Sequence, residues 1–118
     1  MNMFQINVGD YMVMEGLAES FAAELYGTNT VGPWVIGFSE ETMEKAIAAF
    51  RPALNVTGFG TLRKYIFGDA ELGVPPFAGY ALGYKVVQAY LAKTGKSVVE
   101  ATFVEPATLI DESGVFGE

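Results

Sequence analysis

The chain has 118 residues, contains neither histidine nor cysteine, and carries seven Lys and Arg against fourteen Asp and Glu, for a net charge of −7. Its length fits one domain, and its 51% apolar content is enough for a core without disulfides or metal. Catalysis that depends on histidine or cysteine is excluded, as is an ordinary zinc site built by this chain alone. The negative charge disfavours binding to nucleic acid or to an anionic membrane surface.

Neither a signal peptide nor a membrane span is expected. The start, Met1 to Gln5, has no basic segment followed by an apolar stretch. The longest apolar run, from Val74 to Tyr84, contains two prolines and stops short of the ~18 apolar residues of a membrane span. Because the sequence also has no cysteine that could form a disulfide, it favours a cytoplasmic location.

The first helical pattern begins at Asp10, a residue suited to the N-cap, and ends at Gly27, which suits a left-handed position after the last turn. Its apolar residues recur at helical spacing, and we expect this stripe to face the core: Met14, Leu17, Ala18, Phe21 and Leu25. Residues 28–38 are predicted to form a loop that carries Trp34. Candidates for extended backbone are confined to residues 6–8 and 31–38.

Two shorter helices follow. Ser39 is the expected N-cap of the second helix, which Pro52 should end or kink near Arg51. The third is predicted over residues 57–67, with Gly68 as its stop. The residues expected to face inward are Met43, Ala46, Ile47, Phe50 and Leu54 on the second helix, and Leu62, Tyr65 and Ile66 on the third.

The fourth helix is the longest, from Pro75 or Pro76, as its first residue, to about Thr94, with Gly95 as its stop. Its apolar residues lie on all sides, which is typical of a central helix. Ser97 and Glu100 predict a capping box for a fifth helix, and Pro106 begins a sixth that ends near Ser113 and Gly114. The sequence thus predicts a single all-α, mainly helical domain over residues 1–118, with about five to six helices packed round a central apolar helix, 76–94.

Glu15 and Glu19 are the most distinctive polar pair. They are spaced i, i+4 and project from the same side of the first helix. Two like charges this close disfavour each other unless a cation or a proton lies between them. The pair is therefore a candidate metal ligand with a supporting carboxylate. The alternative is a solvated helix edge, since charged side chains on helices are mostly exposed.

Gly79 and Gly83 form a smooth strip on the fourth helix, where another helix backbone can approach closely. Each glycine costs about 1 kcal/mol of helix stability against alanine, which indicates a packing role. Tyr80 and Tyr84 lie one turn apart beside this strip. Each is either a hydrogen-bond donor aimed into a site or an ordinary core residue.

Several motifs, taken together and in order, resemble the predicted zinc-dependent protease family of the YjaZ type, long catalogued as a domain of unknown function. They are Glu15-Gly16-Leu17-Ala18-Glu19, Glu24-Leu25-Tyr26-Gly27, Trp34, Arg63 with Tyr65-Ile66-Phe67-Gly68, Pro76 with Gly79-Tyr80-Ala81-Leu82-Gly83-Tyr84, and Tyr90-Leu91. The similarity covers roughly residues 10–109. No single motif is specific, but the ordered set is.

The resemblance implies a zinc site and a peptide substrate in the complete enzyme. The family carries an HExxH helix upstream, whose two histidines hold zinc and whose glutamate is the general base. Glu15 matches the third zinc ligand, and Glu19 matches the carboxylate that orients a ligand histidine. By analogy, Tyr80 or Tyr84 donates a hydrogen bond to the oxyanion of the tetrahedral intermediate.

This sequence contains no HExxH, which leaves three hypotheses. In the first, the chain is the C-terminal helical part of a zinc-dependent protease, inactive alone and without bound zinc, whose partner is the missing N-terminal HExxH segment. In the second, it is a non-catalytic interaction domain that associates with itself. A metal-free acid/base enzyme using Glu15 and Glu19 is the third, and it requires a deep pocket around both carboxylates. We expect exposed apolar surface that leads the isolated chain to self-associate.

Overall fold

The computed structural model describes residues 6–27 and 38–117, and these residues form six helices without a strand. The helices are α1 (Val8–Tyr26), α2 (Glu40–Phe50), α3 (Phe59–Phe67), α4 (Ala78–Thr94), α5 (Val98–Ala101) and α6 (Pro106–Ser113). The predicted all-α architecture is confirmed. The predictions for residues 28–37, including the loop, Trp34 and most of the second extended candidate, lie outside the described residues.

Helix α1 begins two residues earlier than predicted, and its N-cap is Asn7. The backbone N–H of Asp10 donates a hydrogen bond to Oδ1 of Asn7 (2.7 Å). The backbone N–H of Asn7 donates one in return to the Asp10 carboxylate (3.1 Å). The prediction that Asp10 is the cap was wrong because Asp10 is the third residue of the helix, and its carboxylate completes a capping box with the N-cap Asn7. An antiparallel bridge to Thr57 joins Asn7 to the chain before α3. Gly27 ends the helix with a positive φ of 95°, although its ψ of 159° lies outside the left-handed helical region.

The prediction for the buried face of α1 was also wrong. Three members of the expected core stripe are largely exposed: Met14 by 51%, Phe21 by 44% and Leu25 by 57%. The buried residues of α1 are Val8, Gly9, Met12, Val13, Gly16, Ser20 and Ala23. Glycine, serine and alanine recur among them, so this side of α1 allows a closer approach than a stripe of large side chains would.

Helix α4 is central, as predicted, and it packs against α1, α2, α3 and α6. Its buried residues are Ala78, Gly79, Ala81, Leu82, Gly83, Val86, Val87 and Tyr90. Gly95 ends it in the left-handed conformation, as expected. Its start differs from the prediction: Pro75 and Pro76 both precede the helix, and the N-cap is Phe77, whose φ of 58° is left-handed.

The glycines of α4 lie where other helices cross it. A β-carbon on Gly83 would overlap the carbonyl oxygen of Met12, and one on Gly16 would overlap the carbonyl group of Gly83. A β-carbon on Gly79 would lie 2.6 Å from Ile66 Cδ1 of α3. The predicted close approach of another backbone to this strip is confirmed, with α1 and α3 as the approaching helices.

The remaining helices match the sequence expectations closely. Ser39 caps α2, which gives way after Phe50 to a 3-10 turn, Arg51–Ala53, that contains Pro52. Helix α3 starts at Phe59 rather than at residue 57, and α5 has its predicted capping box. Leu62, Tyr65 and Ile66 are buried, and Pro106 and Gly114 bound α6 as expected. Within the two described ranges, no helix is both long and apolar enough to cross a membrane.

Candidate functional site

Glu15 and Glu19 lie at the edge of the contact between α1 and α4. Glu15 is adjacent to Gly16, the residue at which the two backbones touch, so its position relative to α4 is fixed by main-chain packing. Both glutamates are partly buried. The pKa of Glu15 is raised, first because burial removes water from the carboxylate and second because of the negative charge of Glu19. Both causes oppose ionisation, and a cation at this carboxylate would offset both.

Tyr80 of α4 lies within range of the electrostatic effect of the Glu15 carboxylate. The pKa of the Tyr80 phenol is raised by burial, then by the charge of Glu15, and then by Tyr11. A tyrosine phenol with an ordinary or a raised pKa keeps its proton at neutral pH, so Tyr80 is able to donate a hydrogen bond. The structure thus brings together a carboxylate that accepts a cation or a proton and a phenol that donates a hydrogen bond, from two helices in contact.

Two aromatic rings to which the sequence analysis assigned no role flank Tyr80. The rings of Phe67 and Phe77 have centroids 6.0 and 6.2 Å from that of Tyr80. Both phenylalanines are almost half exposed. Phe77 is also the only described non-glycine residue with a positive φ, a conformation that costs a residue with a β-carbon roughly 1–2 kcal/mol. The sequence gives little sign of this arrangement, because the two prolines before Phe77 suggest an earlier helix start.

Tyr84 lines a pocket at another part of the contact between α1 and α4. This pocket has a volume of about 250 Å³, and its lining includes Tyr84, Ser20, Glu24 and Gln88 but not Glu15. Gln88 Nε2 donates a hydrogen bond of 3.0 Å to Ser20 Oγ, which joins α1 to α4 within the pocket wall. Ser20 is only 1% exposed and was missed by the sequence analysis. Its signal is the spacing of Gly16, Ser20 and Ala23 along one side of α1.

The donor set fits part of a zinc site. Residues 6–27 and 38–117 contain no group of three or more acidic side chains that could hold a metal ion, and the sequence has no histidine. Zinc in proteins needs at least three protein ligands, usually including nitrogen or sulfur donors. Glu15 is able to supply one oxygen ligand, and Glu19 lies one turn away. The remaining ligands would have to come from outside this chain.

Comparison with known proteins identifies related sequences but no related structure. A family model described as "Predicted Zn-dependent protease (DUF2268)" matches residues 1–111. The uncharacterized protein YjfC of Bacillus subtilis (strain 168) is 41% identical in an alignment of 119 positions, which covers 94% of this chain and 40% of YjfC. The uncharacterized protein YjaZ of the same strain is 27% identical over 106 residues, which cover 86% of this chain and 39% of YjaZ. No solved structure matches the chain.

Proposed function

The chain belongs to the family of predicted zinc-dependent proteases, and from that premise we propose that it supplies the third zinc ligand, Glu15, to a peptidase site that other polypeptide completes. Glu19 supports this site by orienting a ligand histidine. The chain alone has no peptidase activity, because two zinc ligands and the general base are missing from its sequence. The matched region spans only about 40% of the two relatives, so the complete enzyme has room for the HExxH helix that the family resemblance implies.

The observation that carries the proposal is the electrostatic environment of the Glu15 carboxylate. Burial and Glu19 both raise its pKa, so the ionised carboxylate is destabilised in the chain as it stands. Carboxylates whose pKa is raised by burial and by a neighbouring like charge are candidates for functional sites. A divalent cation held by Glu15 together with two histidines would remove this penalty. When bound, zinc would polarise the peptide carbonyl and activate water for its hydrolysis.

Tyr80 is the better of the two tyrosine candidates for a transition-state donor. Its phenol is close enough to Glu15 for the charge of that carboxylate to raise the phenol's pKa, whereas Tyr84 lines the pocket with Ser20 and Glu24. A donor beside the metal ligand is placed to stabilise the negative oxygen of the tetrahedral intermediate. Phe67 and Phe77 would help to exclude water around this phenol.

The second candidate function is a non-catalytic domain that associates with itself. It is supported by the exposed apolar side chains on α1, which include Met14, Phe21 and Leu25. In that case Glu15 and Glu19 would have no role in metal binding, and removing their charges would not affect binding of any metal. For the first candidate function we also propose a cytoplasmic location, because the sequence has no cysteine that could form a disulfide.

The experiment that separates the two functions uses a chimaera in which residues 1–111 replace the matching region of YjfC. We expect the chimaera, loaded with zinc, to cleave an unstructured protein such as casein, and the isolated chain to be inactive. Glu15→Gln should abolish the activity and lower the zinc content per chain, whereas the exposed Glu24→Gln should do neither. Metal-dependent cleavage by the isolated chain, or full zinc content in the Glu15→Gln chimaera, would overturn the proposal.

A further inference from the structure

The outer face of α1, defined by Met14, Ala18, Phe21 and Leu25, is exposed to solvent although it is apolar. We propose that this face binds an amphipathic helix with lysine or arginine along its edges, supplied by polypeptide outside this chain. The inference rests on the proposed function, because it names the partner surface through which the same site is completed. It goes beyond that function by fixing where the partner docks and what its chemistry is.

The spacing of these residues suits one helix docking on another. Positions 14, 18, 21 and 25 follow an i, i+4, i+7, i+11 pattern and therefore share one side of α1. At 1.5 Å per residue the ridge is about 16 Å long, or three helical turns. The three large members are 44–57% exposed, and large apolar side chains that are contiguous on a surface mark interaction sites. Ridges of this kind pack into the groove of a second helix.

The charged residues of α1 on the flanks of the outer face indicate which charge the partner helix should carry. Helix α1 contains four acidic residues and no lysine or arginine: Asp10, Glu15, Glu19 and Glu24. On a helical projection Glu15 lies on one flank of the outer face and Glu24 on the other. A second copy of α1 docked here would bring acidic flanks together and be repelled, whereas a partner helix with basic flanks would be attracted.

The lengths of the relatives supply a source for this helix. The matched region accounts for 40% of YjfC and 39% of YjaZ, so more than half of each relative lies outside it. A helix from that remainder, docked on the outer face, would run alongside the helix that presents Glu15. The same contact would place the partner polypeptide next to the flank of α1 that carries Glu15.

The test titrates the 118-residue chain with overlapping synthetic 20-residue peptides that cover the part of YjfC outside the matched region. Fluorescence anisotropy of labelled peptides reports binding, and circular dichroism checks that each variant is folded. We expect one contiguous stretch with a basic amphipathic pattern to bind, more weakly at high salt. Phe21→Glu and Leu25→Glu should each weaken this binding at least tenfold. The matched control, Phe103→Glu, alters a residue that is 86% exposed and far from α1 in sequence, and should not change it.

Several results would overturn the inference. One is that no peptide binds, and another is that Phe103→Glu weakens binding as much as Phe21→Glu does. A third is that the wild-type chain forms a dimer in sedimentation and Phe21→Glu dissociates it, because a second copy would then be the occupant. A shift of the Trp34 emission caused by Phe21→Glu without peptide would identify residues 28–37 of the chain itself as the occupant. Peptide binding as expected, together with a zinc content that is insensitive to Glu15→Gln in the chimaera, would refute the proposed function alone.

Discussion

Gly16 of α1 packs directly against the backbone of Gly83 of α4, so closely that a β-carbon on either residue would overlap main-chain atoms of the other helix. This contact fixes the distance between the two helices that carry Glu15 and Tyr80. Glycine at both positions is therefore needed for geometry rather than for local flexibility. The candidate site depends on it, because Glu15 is the immediate neighbour of Gly16 in the chain.

Gly16→Ala and Gly83→Ala should each destabilise the fold. The added methyl group must push apart two backbones, and overpacking of this kind costs up to about 3 kcal/mol, more than the ~1 kcal/mol that alanine gains in helix propensity. Gly60→Ala in α3 is the matched control, since a β-carbon there meets no atom within 4 Å and should raise stability slightly. Urea unfolding of the three variants measures the difference. Equal stability of Gly83→Ala and the wild type would show that the close contact is not present in solution.

Glu15→Gln should stabilise the isolated chain at neutral pH. Because the pKa of Glu15 is raised above its ordinary 4.5 in the folded state, the folded chain holds this proton after the unfolded chain has released it. The free energy of unfolding therefore falls as the pH rises from about 4.5 through the raised pKa. We expect Glu15→Gln to gain up to about 0.5 kcal/mol at pH 7, a small value because the partly exposed carboxylate is screened by solvent.

The gain in stability from Glu15→Gln should disappear below pH 4, because the wild-type Glu15 carboxyl is then protonated in both the folded and the unfolded chain. Thermal unfolding at pH 4 and pH 7 checks this dependence, with the exposed Glu24→Gln as the control. A Glu15→Gln variant that is less stable than the wild type at pH 7 would mean that the ionised carboxylate is already stabilised by a partner within the chain.

The sequence predicted the helices well but the outward face of α1 poorly. Capping residues such as Ser39 and Ser97 and the terminating Gly95 act locally, so the sequence pattern alone was enough to place helix ends. Which side of α1 faces the core is not a local property. The side of α1 that faces the core carries the small residues Gly16 and Ser20, which permit close approach to α4. A search for a stripe of large apolar residues therefore predicts the opposite side of the helix as the buried one.

The candidate site was predictable only in part. The i, i+4 spacing of Glu15 and Glu19 follows from the sequence, and the family resemblance adds their expected roles. The electrostatic coupling of Tyr80 to Glu15, two residues that are 65 positions apart in the chain, depends on the crossing of α1 and α4. Phe77 itself adopts the left-handed backbone conformation, which no sequence rule predicts for a phenylalanine.

Asn7→Ala should destabilise the start of α1 by about 1 kcal/mol, because it removes the side chain that caps the helix and closes the box with Asp10. Asn7→Ser, which keeps a capping oxygen, should retain most of the stability. Amide hydrogen exchange in the first turn of α1 measures both effects. If Asn7→Ala and Asn7→Ser exchange at the wild-type rate, the capping box does not hold this helix end.

Tyr80→Phe in the YjfC chimaera should lower kcat about 100-fold, the typical effect of removing one donor to an oxyanion, while zinc affinity stays unchanged. Tyr84→Phe is the comparison, because Tyr84 lines the pocket with Ser20 rather than lying beside Glu15. We expect its kcat to stay within about threefold of the parent, as its hydroxyl makes no contact that strengthens in the transition state. A larger loss in Tyr84→Phe than in Tyr80→Phe would reverse the assignment.

The central claim is that Glu15 is a zinc ligand whose partners lie outside this chain, and zinc affinity measured by competition with a chelating dye tests it most directly. The isolated chain should show no tight site, and the chimaera should bind one zinc ion per molecule. Glu15→Gln should weaken that binding more than about 100-fold, since even residues that only support zinc ligands account for 10–100-fold, and Glu24→Gln should leave it unchanged. Equal zinc affinity of the Glu15→Gln and Glu24→Gln chimaeras would contradict the account.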